Sequence, residues 1–182
     1  MTTPTDDLAS DPRLLARWRS GDERAATEIV ERHAPALARF AASLGVRIDI
    51  EELVQDTFVR AFGSLDGFRG DSTLRTWLFT IMRRLVLDQR RARARRPVSV
   101  PVEDDDLVTE FDALDGIVAT EMEQKVRDAV ARLTPTQREV FTLRVTEGLS
   151  YKEIAEVAET TEGAARVHYH NAMRAVKEFL DG

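Results

Sequence analysis

The sequence predicts an all-α protein made of two small helical domains joined by an acidic, flexible linker. Apolar residues recur at helical spacing along most of the 182 residues, and no segment alternates apolar and polar residues over a useful strand length. Hydrophobic residues make up 43% and charged residues 32% of the chain, which suits a helix-rich protein with packed cores. Residues 97–116 are acidic, contain two prolines and hold only scattered hydrophobes, and they separate the two halves.

The first long helix is predicted after an N-terminal tail at residues 1–12. Ser20–Glu23 has the spacing of a capping box, so a helix should start near Asp22 and run to about Leu44. Pro35 lies inside this stretch and predicts a kink or a break near His33, because proline removes a backbone donor and crowds the preceding turn.

Two further helices complete the predicted N-terminal domain at residues 13–96. Apolar side chains recur at helical spacing over residues 50–62, and a loop with three glycines follows at residues 63–71. Another amphipathic helix begins near Leu74 and should continue through an arginine-rich segment, ending before Pro97.

Residues 117–182 are predicted to form the C-terminal domain, which contains a helix-turn-helix. Thr134–Gln137 combines an N-cap, a proline at the first helical position and a glutamine three residues after the cap. Ser150–Glu153 is a further capping box that opens a short helix, and Thr160 or Thr161 caps the last helix. The predicted short helix, tight turn and longer helix have the proportions of a DNA-binding helix-turn-helix, in which the second helix enters the major groove. Spacing alone also fits an ordinary helical hairpin.

Charge is distributed very unevenly along the chain, whose net charge is −6. Residues 83–96 contain seven arginines and one aspartate, whereas residues 97–123 contain nine acidic residues and no basic residue. Seven arginines exceed what a helix dipole requires, so phosphate binding with salt-dependent affinity is the better explanation. Phe68, Trp77 and Phe79 nearby could stack on exposed bases, but helical spacing favours core packing for Trp77.

Catalysis, metal binding and membrane insertion find no support in the residues. The absence of cysteine excludes disulfides and thiolate zinc sites, and His168 and His170 point in different directions on a helix. The chain has no Gly-rich phosphate loop, no nucleophile elbow and no apolar run near the ~20 residues of a membrane span. We therefore expect a protein without enzymatic activity, cofactor or metal, located in the cytoplasm.

Three segments in order resemble the bacterial sigma-70 family, specifically its two-domain extracytoplasmic-function (ECF) sigma factors. Residues 51–62, EELVQDTFVRAF, are similar to the helix that docks on the β′ clamp of RNA polymerase. Residues 68–81, FRGDSTLRTWLFTI, resemble the family's −10 recognition and melting segment. Residues 133–141 and 147–155 resemble the −35 reading domain. The combination of all three in this order is far more specific than any one of them.

The resemblance implies a region 2-like domain at residues 13–96, a linker at 97–116 and a region 4-like domain at 117–182. The implied function is promoter-specific transcription initiation. The implied partners are core RNA polymerase, through its β′ clamp and β flap, promoter DNA and an anti-sigma factor, with no small-molecule substrate. The implied residues are Glu52, Leu53, Gln55, Asp56 and Phe58 for core polymerase; Phe68, Arg69, Arg75, Arg83, Arg84, Arg90 and Arg91 for the −10 element; and Ser150, Tyr151, Lys152, Glu162, Arg166, His168, His170, Asn171 and Arg174 for the −35 element.

Several positions depart from the family pattern. Arg84 stands where asparagine is common, and Glu159 stands where the helix-turn-helix turn usually has glycine, so a different backbone conformation is expected there. Only His170 and the charge at Arg166 match the usual recognition helix. The acidic linker is expected to compete with DNA for the arginines or to enter a basic polymerase channel. Two alternatives remain: a helix-turn-helix regulator that never contacts polymerase, and a helical adaptor that binds only proteins.

Overall fold

A computed structural model describes residues 4–47, 49–95 and 121–182, and the regular secondary structure within them is entirely helical. The predicted all-α class is confirmed, whereas the predicted linker lies outside the described residues. A 3₁₀ turn covers Leu65–Gly67 and a π turn covers Thr142–Thr146. The helices are α1 (Pro4–Arg19), α2 (Glu23–Ser43), α3 (Ile50–Gly63), α4 (Leu74–Arg95), α5 (Glu121–Ala131), α6 (Pro135–Phe141), α7 (Tyr151–Ala158) and α8 (Glu162–Asp181).

Helices α1 to α4 form the N-terminal domain around a core of aromatic and aliphatic side chains. The rings of Phe40 and Phe79 meet edge to face with centroids 5.0 Å apart, an arrangement that aromatic quadrupoles favour. Leu53 and Met82, from α3 and α4, are also buried in this core. The core therefore fixes α3 and α4 side by side, the two helices on which the sequence predicted polymerase and DNA contacts.

The structure differs from the sequence prediction at three places in this domain. The predicted Ser20–Glu23 capping box is not formed: Asp22 caps α2 by accepting a hydrogen bond from Arg24 N, and the Ser20 hydroxyl donates to the Arg17 carbonyl. The segment predicted as a tail is helical from Pro4, and the buried Asp11 carboxylate lies 3.1 Å from His33 Nε2 and accepts a hydrogen bond from Arg32 at 3.0 Å. Helix α2 passes through Pro35 without a break. Pro35 faces solvent while buried residues on both sides of it hold the helix against the core, so tertiary packing outweighs the lost hydrogen bond.

Helices α5 to α8 form the C-terminal domain, and both predicted capping boxes are present. Thr134 Oγ1 accepts a hydrogen bond from Gln137 N, and Thr134 N donates to Gln137 Oε1. Ser150 and Glu153 exchange the equivalent pair at the start of α7. The α-helix that starts after Thr134 ends at Phe141, and the wider π turn follows it.

The helix-turn-helix turn contains a strained residue. Glu159 has φ +52°, which is the left-handed conformation that glycine usually supplies at this turn. The expectation of a different backbone conformation was therefore wrong. A left-handed non-glycine residue costs about 1–2 kcal/mol. Two interactions offset this cost: the next residue, Thr160, donates its backbone N–H to Ala155 O at 2.9 Å, and the Glu159 side chain accepts from Arg84. Thr161 caps α8 by accepting from Ala164 N at 3.1 Å.

The two domains are in direct contact. Helix α4 packs along α7, and the fully buried Leu143, Ile154 and Val157 of the C-terminal domain belong to the same hydrophobic cluster as Phe79 and Met82. The C-terminal domain therefore covers one side of α4.

Candidate nucleic-acid interface

The exposed face of α3 carries the accessible part of the predicted polymerase-binding surface. Glu52, Gln55 and Asp56 are all exposed on this helix. Val59 follows one turn after Gln55 and Asp56 and is 70% exposed, the largest value among the exposed large hydrophobic side chains. Sequence reasoning missed Val59, although its spacing on the helix places it beside these residues.

Leu53 and Phe58, the other two predicted polymerase contacts, lie in the core. Leu53 is 1% exposed and Phe58 is 5% exposed, and the Phe58 ring stacks on Phe62 with centroids 6.0 Å apart. These side chains hold α3 in place, and its outward polar residues remain accessible.

The segment before α4 positions Phe68 against Trp77, with ring centroids 4.9 Å apart. Arg19 donates to the Phe68 carbonyl at 3.2 Å and ties the loop to α1. Phe79 is fully buried, so in this structure it offers no surface to a base. Arg69 is exposed in the same loop.

Arg83 of α4 forms a largely buried ion pair with the C-terminal domain. Its Nε lies 2.6 Å from Glu139 Oε1, and the two side chains are 16% and 9% exposed. Burial raises the pKa of the Glu139 carboxyl, and the positive charge of Arg83 partly opposes this effect.

Glu147, at the end of the π turn, accepts hydrogen bonds from two arginines of the N-terminal domain. Its side chain is fully buried between Arg75 of α4 and Arg39 of α2, and Arg39 Nε lies 3.0 Å from Glu147 Oε1. A buried carboxylate needs such partners, because an unpaired buried charge is costly. This interaction joins three elements that are distant in sequence.

Two further contacts extend the interface between the domains. Thr76 Oγ1 lies 3.1 Å from Glu153 Oε1 at the start of α7. Although burial alone would raise it, hydrogen bonds from Ser150 and Thr76 lower the pKa of Glu153. At the exposed edge, Arg84 Nε lies 3.1 Å from Glu159 Oε1.

The seven residues predicted for the −10 element therefore have different surroundings. Three of the arginines pair with glutamates of the C-terminal domain, which the sequence did not predict. Arg90 donates to the Leu44 carbonyl, and Arg91 lies 3.4 Å from Asp88 on its own helix. The three arginine–glutamate pairs are Arg75–Glu147, Arg83–Glu139 and Arg84–Glu159.

The −35 side of the C-terminal domain is centred on an aromatic ring between two cations. The guanidinium groups of Arg144 and Arg166 each lie 4.9 Å from the centroid of the Tyr151 ring. Asn171 Oδ1 accepts a hydrogen bond from Arg174 at 3.2 Å. Of the predicted residues, Ser150, Lys152, Glu162, Arg166, His170 and Arg174 are exposed, and Tyr151, His168 and Asn171 are half-buried.

Two other kinds of function have no structural basis in the described part of the chain. Residues 4–47, 49–95 and 121–182 contain no group of three or more His, Asp or Glu side chains placed to hold a metal ion. Across the same ranges, every helix is too short or too polar to traverse a bilayer.

Comparison with known proteins identifies the family. Residues 29–96 match the family model for Sigma-70 region 2, and residues 123–176 match Sigma-70, region 4. The RNA polymerase sigma factor NccH of Alcaligenes xylosoxydans xylosoxydans is 34% identical over 169 residues, which cover 90% of this chain and 89% of NccH. The chain belongs to the sigma-70 family. The ECF RNA polymerase sigma-E factor of Escherichia coli K12 is 30% identical over 92% of both chains.

This ECF sigma factor also resembles solved structures over most of its length. CnrH, solved with the cytosolic domain of CnrY, is 31% identical with a TM-score of 0.66, over 94% of this chain and 97% of CnrH. RpoE of Bartonella quintana, solved with the anti-sigma factor NepR, is 29% identical with a TM-score of 0.64, over 85% and 96%. The ECF sigma factor directs promoter-specific transcription initiation, and sigma factors as a class regulate transcription without catalysing a reaction.

Proposed function

We propose that this ECF sigma factor binds core RNA polymerase through α3, captures the −10 element with α4 and the loop before it, and reads the −35 element with α7 and α8. One observation carries the proposal: the exposed polar face of α3 lies beside an arginine-rich α4, and a separate helix-turn-helix presents further cations. The domains that would carry out these steps are residues 13–96 and 117–182, and α1 extends the first of them toward the N-terminus.

Docking on the β′ clamp would use the outward face of α3. Gln55 and Asp56 supply polar and acidic groups at its centre, and the exposed Val59 adds an apolar contact. Leu53 and Phe58 would act by keeping the helix rigid, since both are buried in the domain core.

Capture of the −10 strand would require an exchange of partners on α4. Arg75 and Arg83 now neutralise buried glutamates of the C-terminal domain. In place of these glutamates, the same guanidinium groups could bind phosphates of the promoter strand. The C-terminal domain must therefore leave α4 before the −10 element can be held, and it is then free to reach the −35 element.

Recognition of the −35 element would use phosphate contacts to set position and base contacts to select sequence. Lys152 and Arg174 supply exposed cations, while His170 and Asn171 carry groups that can bond base edges. Tyr151 would hold the guanidinium of Arg166 in place by stacking.

The partners beyond polymerase and DNA follow from the relatives. CnrH and RpoE were each solved with a second protein, which in the case of RpoE is an anti-sigma factor. An anti-sigma factor is accordingly proposed for this chain as well. The sigma factor itself would act in the cytoplasm as a binding protein. It would convert binding energy into duplex opening without enzymatic chemistry, cofactor or metal.

Abortive transcription with core RNA polymerase on a promoter library tests the proposal. Initiation should require the full-length protein and should collapse when Gln55→Ala and Asp56→Ala are combined. Glu178→Ala with Asp181→Ala, an exposed pair at the end of α8, serves as the matched control and should leave initiation unchanged. Circular dichroism checks that all variants remain helical.

Two outcomes would overturn the proposal. DNA binding without core-dependent initiation would make the chain a helix-turn-helix regulator that acts without docking on polymerase. An absence of both DNA binding and initiation would make it a protein-binding adaptor.

A further inference from the structure

A large apolar side chain lies in the middle of the polar surface of α8. Val167 is 58% exposed, whereas Ala165 two residues earlier is fully buried. Two residues along an α-helix correspond to a rotation of about 200°. Val167 therefore lies opposite the stripe of Ala165, Ala172 and Val176 that packs α8 against its own domain.

The neighbours of Val167 on this face are small or polar. Gly163 precedes it by one turn, and His170 and Asn171 follow it by one turn, so these positions share its face. A β-carbon built on Gly163 would meet only Thr161 Oγ1, at 3.9 Å, so the helix surface before Val167 is open. An apolar contact at Val167 would therefore be flanked by groups that can hydrogen-bond.

The position of Val167 in the helix-turn-helix distinguishes it from an isolated surface valine. It lies in the second turn of the second helix of the helix-turn-helix, and the N-terminal residues of that helix reach base edges in the major groove. Thymine is the base that presents an apolar group there, its C5-methyl. A β-branched side chain in a helix is already restricted in χ1, so little rotamer freedom is lost on contact.

We propose that Val167 packs against the C5-methyl group of a thymine in the −35 element and thereby selects thymine at that position. The assignment rests on the proposed function, and it adds a base and a specificity-determining residue to it. His170 and Asn171 would bond the neighbouring base edges, and the open surface at Gly163 would allow the helix to approach them closely.

Replacement of thymine by deoxyuridine tests the contact, because it removes the methyl group and leaves base pairing intact. The promoter comes from the library selection with wild-type protein, and each thymine of its −35 element, on either strand, is replaced singly. Holoenzyme reconstituted from core polymerase and the full-length protein is then titrated against each duplex. Loss of one buried methyl group should weaken wild-type binding about three- to fivefold at one position.

The Val167→Ala variant supplies the coupled measurement. It should bind the thymine promoter about three- to fivefold more weakly than wild type and should not respond to deoxyuridine at the sensitive position. Val145→Ala, which alters a valine 51% exposed outside α8, should retain the full deoxyuridine effect. Val167→Thr keeps the branched shape and should retain part of it.

The assignment is overturned if no deoxyuridine position weakens wild-type binding, or if Val167→Ala remains as sensitive as wild type. Failure of the proposed function itself has a different signature, since holoenzyme would then initiate from no promoter of the library.

Discussion

Two of the helices predicted to meet DNA, α4 and α8, differ in what their basic side chains contact. On α4, Arg75 and Arg83 are paired with largely or fully buried carboxylates of the other domain. On α8, Arg166 stacks on a tyrosine of its own domain and Arg174 bonds to Asn171, and both arginines are exposed. Arg75 and Arg83 are thus occupied by partners from the other domain, whereas Arg166 and Arg174 remain exposed.

This difference separates the two DNA elements in their dependence on domain contact. In the proposed function, binding at the −35 element would require no rearrangement of the C-terminal domain, because its polar face is already exposed. Binding at the −10 element would require breaking ion pairs between the domains. Variants in the glutamates of the interface should therefore change −10 binding and leave −35 binding nearly constant.

The largest effect is expected for Glu147→Gln, which removes the charge between Arg39 and Arg75. Loss of one partner of a fully buried pair costs about 3–5 kcal/mol, and partial exposure of Arg39 reduces the expected loss of unfolding free energy to about 2 kcal/mol. The freed Arg75 should bind the single-stranded −10 oligonucleotide about tenfold more tightly, because a competing carboxylate is gone. Urea unfolding and fluorescence anisotropy measure the two quantities.

Glu156→Gln is the control, since this glutamate is exposed on α7. It should change neither quantity. A loss of stability in Glu147→Gln with unchanged oligonucleotide affinity would mean that the glutamate is structural and does not compete with DNA.

A smaller effect is expected on the other side of the comparison, for Tyr151→Leu. Two cation–π contacts, each worth about 0.5–1 kcal/mol at an exposed position, hold Arg144 and Arg166 against the ring. Their loss should weaken binding to a −35 duplex about fivefold, while binding to the −10 oligonucleotide stays unchanged. Tyr151→Phe keeps the ring and should restore affinity; equal losses in the two variants would assign the effect to the hydroxyl instead.

A pH-dependent effect is expected for Glu139→Gln. Burial raises the pKa of Glu139 above its ordinary value of 4.5, so the folded protein binds this proton more tightly than the unfolded chain. The contribution of Glu139 to stability is therefore present below pH 4.5 and is lost as pH rises through its pKa in the folded protein. The free energy of unfolding of Glu139→Gln, minus that of wild type, should therefore increase between pH 4.5 and neutral pH. Urea titrations at a series of pH values measure this difference. A difference that is constant with pH would contradict this assignment.

The smallest effect on stability is expected for Arg84→Gln. Arg84 and Glu159 are 64% and 51% exposed, and such pairs contribute about 0.2–1 kcal/mol. If Arg84 contacts a promoter phosphate, the slope of log affinity against log salt should decrease by about one. Arg91→Gln, on the same helix, provides a comparison for a cation that pairs with Asp88 of α4 itself. Equal slopes for wild type and Arg84→Gln would remove Arg84 from the −10 contacts.

The helices themselves could be predicted well because their boundaries depend on nearby residues. The predicted apolar stretch 50–62 corresponds to α3 (Ile50–Gly63), and the caps at Thr134 and Ser150 use partners three residues away. Distant packing overrode a local preference at two places: the break that Pro35 allowed does not occur in α2, and Glu159 adopts a conformation that glycine usually supplies. Leu53 and Phe58 were predicted as polymerase contacts, but periodicity alone does not distinguish a docking residue from a core residue.

The sequence by itself determined the helical class and the caps at Thr134, Ser150 and Thr161. Each of these depends on hydrogen bonds or apolar spacing within a few residues along the chain. The tertiary structure alone decided which arginines are accessible. Arg83 and Glu139 are 56 residues apart, and Arg39 and Glu147 are 108 residues apart. Such pairs form only when the hydrophobic surfaces of α4 and α7 pack together, because that burial brings the charges within reach and removes the water that would otherwise separate them.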